Sequence, residues 1–309
     1  MIEYFTKTSL SESSEKKHNM FLNNWVNLTP TKTVLYIVLF PAHSLTILEK
    51  HLKQKDIDSP KLKSKSYSKT NMHSYISAVL ALFKHSPEYI NDIPEMFVYH
   101  RIWLGIVTNN QQEIVNRREQ NKPTLLQEER GGSKLTLQDL INKRDKDDID
   151  ILHKLLLAMY TMIPPVRLDY YDTEIIKEGD TPTSNNYIIL KNNEAELVIG
   201  KYKTSKLHGE IRHSTIPDDL YKIIIKSLEK HPRKYLFEIK GVRMSNNRFC
   251  KWSSSVLTKL FGVELNLTIV RHIYISSKDL GKMTIQERKE LSKQMGHTME
   301  VQAMYEWKN

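Results

Sequence analysis

Cysteine is almost absent: a single residue, Cys250, stands in a chain of 309. One thiol permits neither an internal disulfide framework nor a cysteine zinc cluster, and a reducing compartment is the natural setting for such a chain. Long hydrophobic runs are also missing. A membrane span needs roughly 20 apolar residues, and the run at residues 34–40 is far too short. No basic-then-apolar leader pattern follows Met1-Ile2-Glu3-Tyr4. There is no internal repeat, no low-complexity tract and no metal-binding constellation. Acidic residues are in the minority, 36 Asp and Glu against 46 Lys and Arg. The resulting charge of +10 and isoelectric point near 9.3 favour an anionic partner, nucleic acid first and an acidic membrane surface second. The length suffices for two domains, each with its own core, and a composition 39% hydrophobic and 27% charged suits a soluble globular chain.

Apolar periodicity divides the chain. Residues 1–110 read as a helical domain. Met72, Tyr75, Ile76, Val79, Leu80 and Phe83 form one stripe, with Thr70 as its expected cap. Shorter stripes lie around Phe21–Val26, around Leu45–Leu52 after Ser44, and from Phe97 to Val107. The Lys- and Ser-rich segment 61–69 reads either as a solvated linker or as a contact to a DNA backbone. Over 111–135 the apolar pattern fades, and Asn121-Lys122-Pro123-Thr124 and Gly131-Gly132-Ser133 break it, so this segment is read as an interdomain linker.

Residues 136–309 mix helices with a small antiparallel sheet. A stripe from Ile151 to Met162 stops before Pro164-Pro165, which reads as a helix stop. Strands are expected at 187–190 and 195–201, joined at Asn192-Asn193, and at 210–216. Pro217 opens a helix carrying Leu220, Ile223, Ile224 and Leu228, and the stripe from Phe249 to Leu260 closes at Gly262. Thr284 and Glu287 fit a capping box on a helix ending at Gly296, and a last short helix is expected from Val301 to Trp307. The fold class is therefore mainly α with a small antiparallel β-sheet, an α+β arrangement.

Metal-free transfer of a phosphodiester strand needs a nucleophile, cations for the charge that develops on phosphate, and an acid for the leaving 5′-oxygen. Arginine suits the second task because its planar fork stays charged and donates two parallel hydrogen bonds. A phenol can attack phosphorus only if the site activates it, since its free pKa is about 10. The chain carries, in order, Pro164-Pro165-Val166-Arg167, then Lys201-Tyr202-Lys203-Thr204-Ser205-Lys206 at an expected hairpin tip. Ile269-Val270-Arg271-His272 follows, then Met295-Gly296-His297, then Tyr305. Taken singly, each residue has an ordinary reading. Arg167 pairs with Asp169 or a surface carboxylate, His297 complements a helix end, Tyr305 and Trp307 pack, and Lys201 and Lys206 rival Lys203. The order and spacing together outweigh these.

That order, Arg, hairpin Lys, Arg-His, Gly-His, Tyr, resembles the tyrosine recombinase and integrase family over residues 135–309. The first region, with Ser68-Lys69-Thr70-Asn71-Met72-His73-Ser74-Tyr75-Ile76-Ser77, resembles that family's core-binding domain. The Pro-Pro-Val-Arg box and the Met-Gly-His ending resemble versions in large DNA viruses, virophages and related mobile elements. The resemblance implies a helical DNA-clamping domain (1–110), a linker (111–135) and a catalytic domain (136–309). It implies that Arg167 and Arg271 clamp the scissile phosphate, Lys203 protonates the 5′-oxygen, His297 bonds the phosphate or assists proton transfer, and Tyr305 forms a 3′-phosphotyrosine. No metal, nucleotide or other cofactor is implied. The implied partners are double-stranded DNA and further copies of the chain, as a dimer or tetramer on DNA, with no membrane. The setting is intracellular: the cytoplasm or nucleus of a host, or a virion. Only four residues follow Tyr305, so no long C-terminal exchange helix is expected.

Three positions depart from the family pattern. Thr268 stands where the family commonly has His, three residues before Arg271. Tyr170, with Asp169 before it, stands where an acid often follows the first Arg. The interval from His297 to Tyr305 is one residue short of the commonest version. Two other readings follow: a type IB topoisomerase with the same chemistry, and a catalytically inactive DNA-binding protein, which Thr268 favours.

Overall fold

The computed structural model describes residues 2–5, 8–58, 69–239 and 241–307, and its chain separates into two compact units, Met1–Asn116 and Arg117–Asn309. The first is helical: α1 (Glu12–Val26), α2 (Val34–Leu39), α3 (Pro41–Asp58), α4 (Lys69–His85) and α5 (Met96–Glu119). Its core is built on Trp25 and Trp103, both fully buried and edge to face at 5.7 Å. Each indole N–H, which burial would otherwise strand, donates to a carbonyl, Trp25 to Ser44 at 3.0 Å and Trp103 to Val38 at 3.3 Å. Asn19 and Asn23, one turn apart on α1, pair with the backbone of Phe5 and Ile2 and so fasten the leading segment to the helix. Thr70 falls inside α4 rather than at its cap, and Ser44 inside α3 rather than before it. Of segment 61–69, only Lys69 lies within the described residues.

The loss of apolar periodicity after residue 110 does not mark the end of a helix. α5 runs through to Glu119, because Gln, Glu and Arg sustain a helix without a core-facing stripe. The division between the units falls inside it. Beyond it, α6 (Leu125–Glu129) and a 3-10 turn (Gly132–Lys134) belong to the second unit. Gly131 adopts φ +78°, and a Cβ on Gly132 would stand 2.7 Å from the Glu264 carbonyl. Both glycines are thus needed where this segment docks, and Arg130 seals the contact with an ion pair to Glu264 at 2.9 Å.

The second unit continues with α7 (Leu137–Arg144), α8 (Ile151–Thr161), β1 (Glu174–Lys177), β2 (Asn186–Leu190), β3 (Ala195–Ile199), α9 (Ser205–His208) and β4 (Ile211–His213). α10 (Asp218–Lys230), β5 (Glu238–Ile239), β6 (Val242–Arg243), α11 (Asn246–Phe261), α12 (Leu267–Ser276), α13 (Ile285–Gln294) and α14 (Met299–Ala303) complete it. α8 is buried on nearly every side and forms the spine of the core with α10 and α12. The sheet order is β1-β2-β3-β4. It is mixed, not antiparallel throughout: β1 pairs parallel with β2, while β2–β3 and β3–β4 are antiparallel. β1 escaped the sequence because it starts with a charged residue that is buried. Glu174 is held there by Thr183, the Ser184 amide and Lys234. Burial of Glu174 is more than offset by these partners, and its carboxyl is lowered to about 2. The hairpin at Asn192-Asn193 and the capping box at Thr284 and Glu287 stand as expected. So does the stop at Gly262, which takes φ +71°.

Candidate active site

α12 opens at Asn266, whose side chain accepts from the Ile269 amide at 3.0 Å, and it buries Leu267, Ile269, Val270, Ile273, Tyr274 and Ile275. In the same helix Arg271 is 1% exposed. A guanidinium so deep requires partners, and each of its three nitrogens has one. Nε donates to the Pro165 carbonyl at 3.0 Å, Nη2 to the Met295 carbonyl at 3.1 Å, and Nη1 to the Tyr305 hydroxyl at 3.4 Å. No carboxylate is among them, so the positive charge is seated without being neutralised. Burial, with Arg167 as a further repulsive charge, draws Arg271 below its ordinary value, yet an arginine remains protonated at neutral pH. Pro164-Pro165 is therefore more than a helix stop, since the Pro165 carbonyl orients this guanidinium.

The end of α13 places His297. Met295 caps the helix and Gly296 follows at φ +67°. The Gly296 amide bonds the Lys293 carbonyl at 3.0 Å and the His297 amide bonds the Ser292 carbonyl at 3.1 Å, the two bonds of a Schellman motif. His297 is 3% exposed. Its Nδ1 lies 3.1 Å from the Thr298 carbonyl, which only a protonated nitrogen can satisfy. Its Nε2 is buried without a partner among the described residues. Burial pushes this imidazole down to about 4, the Thr298 bond opposing and the charges of Arg271 and Arg167 adding. In the free protein the ring is neutral, with a bare lone pair on Nε2.

Tyr305 lies in a turn two residues beyond α14, not on the helix expected from Val301 to Trp307. The helix stops at Ala303 because the tail is captured by side chains of α12. The Tyr305 ring centroid is 4.9 Å from the Arg271 guanidinium, and the ring stacks on His297 at 5.6 Å and 15°. Its carbonyl accepts from His272 Nδ1 at 2.8 Å. Trp307 stacks on His272 at 4.4 Å and 7°, and its amide donates to Ser276 Oγ at 2.7 Å.

Arg167 is half-buried. Its backbone is fixed by the Tyr160 hydroxyl, which donates to the Arg167 carbonyl at 2.5 Å. Its charge depresses both Arg271 and His297, so the two arginines share one electrostatic neighbourhood. Among the described residues no ion pair or hydrogen bond occupies its guanidinium, and the ordinary pairing with Asp169 does not form. Asp169 is instead pushed up to about 6 by burial, with Arg167 and Arg271 pulling the other way.

Lys203 is exposed, and no contact joins it to the other four among the described residues. Its loop, however, is tied down on both sides. Asn186, 1% exposed, donates to the carbonyls of Asp169 and Lys201 and to the Asp172 carboxylate, and accepts from the Lys201 amide. It thereby couples the turn that follows Arg167 to the lysine loop. Thr204 Oγ1 donates to the Gly296 carbonyl at 2.8 Å. Lys203 stands between these anchors, whereas Lys206 lies beyond them on α9. Thr268 is exposed in the first turn of α12 and puts only a hydroxyl where the family has an imidazole.

The structure thus brings Arg271, His297 and Tyr305 into contact, sets Arg167 close enough to act on them electrostatically, and leaves Lys203 on an anchored loop beside Gly296. Sequence reasoning missed His272, Ser276, Asn186 and the carbonyls of Pro165 and Met295. Only His272 carried a signal, its adjacency to Arg271. Among the described residues no group of three or more His, Cys, Asp or Glu is placed to hold a metal, and no helix is long and apolar enough to cross a membrane.

No protein-family profile matches the chain, and neither does any curated protein. Among solved structures, the Tn1549 transposon integrase, determined in complex with circular-intermediate DNA, aligns over 97% of this chain and 91% of that one. The identity is 13% and the TM-score 0.53. XerA recombinase aligns over 97% and 88% at 15% identity, but its TM-score of 0.39 is too low to argue from. At such identity the likeness speaks to architecture, and the chemistry has to be argued from the residues. The chain has the fold of the tyrosine recombinases.

Proposed function

We propose that the chain is a site-specific DNA recombinase or integrase that cuts and rejoins duplex DNA through a 3′-phosphotyrosine on Tyr305. The observation that carries this reading is the placement of the Tyr305 hydroxyl 3.4 Å from the buried, un-neutralised Arg271, beside the unpartnered Nε2 of His297. A phosphodiester entering there meets Arg271 and Arg167, whose forks stabilise the charge on its non-bridging oxygens. The Tyr305 oxygen forms the new bond to phosphorus as the bond to the 5′-oxygen breaks. His297 Nε2 assists removal of the phenol proton, and Lys203, carried in on its loop, protonates the leaving oxygen. The free 5′-hydroxyl of a partner strand reverses these steps. No cofactor is consumed, because the phosphotyrosine keeps the energy of the bond it replaces. The helical domain of residues 1–110 supplies further grip on the duplex, the net positive charge acts on the DNA backbone, and copies of the chain assemble on DNA as a dimer or tetramer. A nicked suicide substrate, from which the 5′ fragment diffuses away, tests the reading. The wild-type chain is expected to trap a covalent adduct, and Tyr305→Phe to bind the same DNA and trap none. An adduct that survives in Tyr305→Phe refutes the assignment of the nucleophile.

Thr268 favours a second reading, a DNA-binding protein that has lost catalysis, since that position offers no imidazole to move a proton. Specific binding by the wild-type chain without any adduct would establish it.

A further inference from the structure

We infer that His272 is a positioning residue for the nucleophile: with Ser276 and Trp307 it docks the tail of the chain on α12 and so sets Tyr305 against Arg271. The inference rests on the strand-transfer reading above for its catalytic consequence, but not for the docking.

Adjacent residues on a helix point about 100° apart. Arg271 and His272 therefore face different directions, and both directions end on Tyr305. Arg271 meets its hydroxyl at 3.4 Å, while His272 holds its backbone carbonyl at 2.8 Å. A carbonyl can only accept, so Nδ1 of His272 carries the proton in this bond. One turn further along α12, Ser276 accepts from the Trp307 amide at 2.7 Å. The His272 ring lies flat on the Trp307 indole, 4.4 Å between centroids and 7° between planes, and 4.5 Å from the Tyr305 ring. The residue between them, Glu306, is bracketed by these attachments.

This capture explains why Tyr305 needs no helix beneath it. α14 ends at Ala303, so the phenol's place is not set by a helical backbone. It is set by one hydrogen bond to its own carbonyl, one to the Trp307 amide, and a stacked ring pair. A neutral ring is required in this place. His272, like His297, is held to about 4, chiefly by burial, with the Arg271 and Arg118 charges adding to the shift and the bond to the Tyr305 carbonyl opposing it. A lysine here would set a second cation against Arg271, and an aliphatic residue would lack the donor.

The test compares His272→Ala, His272→Asn and Ser276→Ala with the wild-type chain. Asn presents an amide N–H near the position of Nδ1 and restores the bond to the Tyr305 carbonyl without the ring. Amide hydrogen exchange of the peptide spanning Met299 to Trp307 reads the docking in the free protein. His272→Ala and Ser276→Ala are each expected to speed that exchange by about tenfold, while peptides from β2 and β3 keep wild-type protection. Single-turnover adduct formation on the suicide substrate reads the consequence. His272→Ala is expected to slow it by about tenfold or more with DNA affinity unchanged, and His272→Asn to recover most of the rate. Unchanged tail exchange in both alanine variants overturns the docking. An unchanged adduct rate in His272→Ala, or a fall in rate matched by a fall in DNA affinity, overturns the positioning role. If the wild-type chain protects its tail yet forms no adduct, the strand-transfer reading fails while the docking stands, and the two failures are told apart.

Discussion

The two arginines differ in what holds them, and this predicts different responses to the same substitution. Arg271 has every nitrogen engaged, two of them on backbone carbonyls. Lysine at 271 keeps the charge but cannot reach both carbonyls, and each acceptor left buried and unpaired costs about 1–3 kcal/mol. Arg271→Lys is therefore expected to lower both the melting temperature and the adduct rate, the latter by roughly 10²–10³-fold. Arg167 carries no such structural duty, since no hydrogen bond or ion pair within the described residues holds its side chain. Arg167→Lys is expected to slow the adduct comparably while leaving the melting temperature near wild type. Thermal denaturation and single-turnover kinetics on both variants check this. Equal stability losses in the two would mean that the asymmetry of burial has been misread.

The site is assembled by connections between elements, and those connections are where second-site effects are expected. Gly296 lies at φ +67°, and a Cβ there would stand 2.8 Å from Cε2 of Tyr202. Gly296→Ala must strain the backbone by about 1–2 kcal/mol and also displace the Tyr202 ring, moving the lysine loop and His297 together. A urea titration is expected to show the destabilisation, and the adduct rate to fall beyond what the unfolded fraction explains. Asn186 joins the turn after Arg167 to the lysine loop through three donated bonds. Asn186→Asp removes the donors and sets a carboxylate against that of Asp172. It is expected to be more damaging at neutral pH than Asn186→Ala, with part of the difference recovered in mild acid. If the two variants behave alike at both pH values, Asn186 is not the hub described.

For the molecule as a whole, burial decides the response to acid. His272 and His297 are each held to about 4, against about 6.5 for a free imidazole. Asp169 is pushed up to about 6, against about 3.9 unfolded. As pH falls through this window, the unfolded chain takes up two protons on the histidines that the folded chain refuses. The folded chain takes up one on Asp169 that the unfolded chain refuses. The unfolded state gains more, so stability is full near neutrality and declines as pH drops from about 6.5 towards 4. His153 and His213, also lowered by burial, add in the same direction. Asp169→Asn removes the one opposing contribution and is expected to steepen the decline. Urea midpoints across this range check both statements, and a flat or rising midpoint in the wild-type chain contradicts them. Because Tyr305 meets Arg271 of its own chain, a mixture of Arg271→Ala and Tyr305→Phe chains is expected to form no adduct. An adduct in the mixture would show that the tail is exchanged between chains. Binding to DNA is expected to weaken with salt at a log–log slope of about −0.9 per neutralised phosphate.

Much of this was legible in the chain itself, and the reason is locality. Helices with a 3.6-residue stripe, the capping box at Thr284, the stop at Gly262 and the hairpin at Asn193 each depend on residues within a few positions of one another. The order of Arg167, Lys203, Arg271, His297 and Tyr305 was likewise present in the sequence, and with it the resemblance to a recombinase. What the linear order could not contain was which groups satisfy one another across it. The Pro165 carbonyl meets Arg271 over 106 residues, and Thr204 meets Gly296 over 92. β1 joins the sheet only because Thr183, Ser184 and Lys234 take up its buried glutamate. Tyr305 leaves the helix expected for it because His272 and Ser276, on a helix 30 residues upstream, hold the tail more firmly than its own backbone bonds do. A short terminal segment has few local hydrogen bonds to give, so tertiary contacts decide its conformation, and here they also decide where the phenol stands.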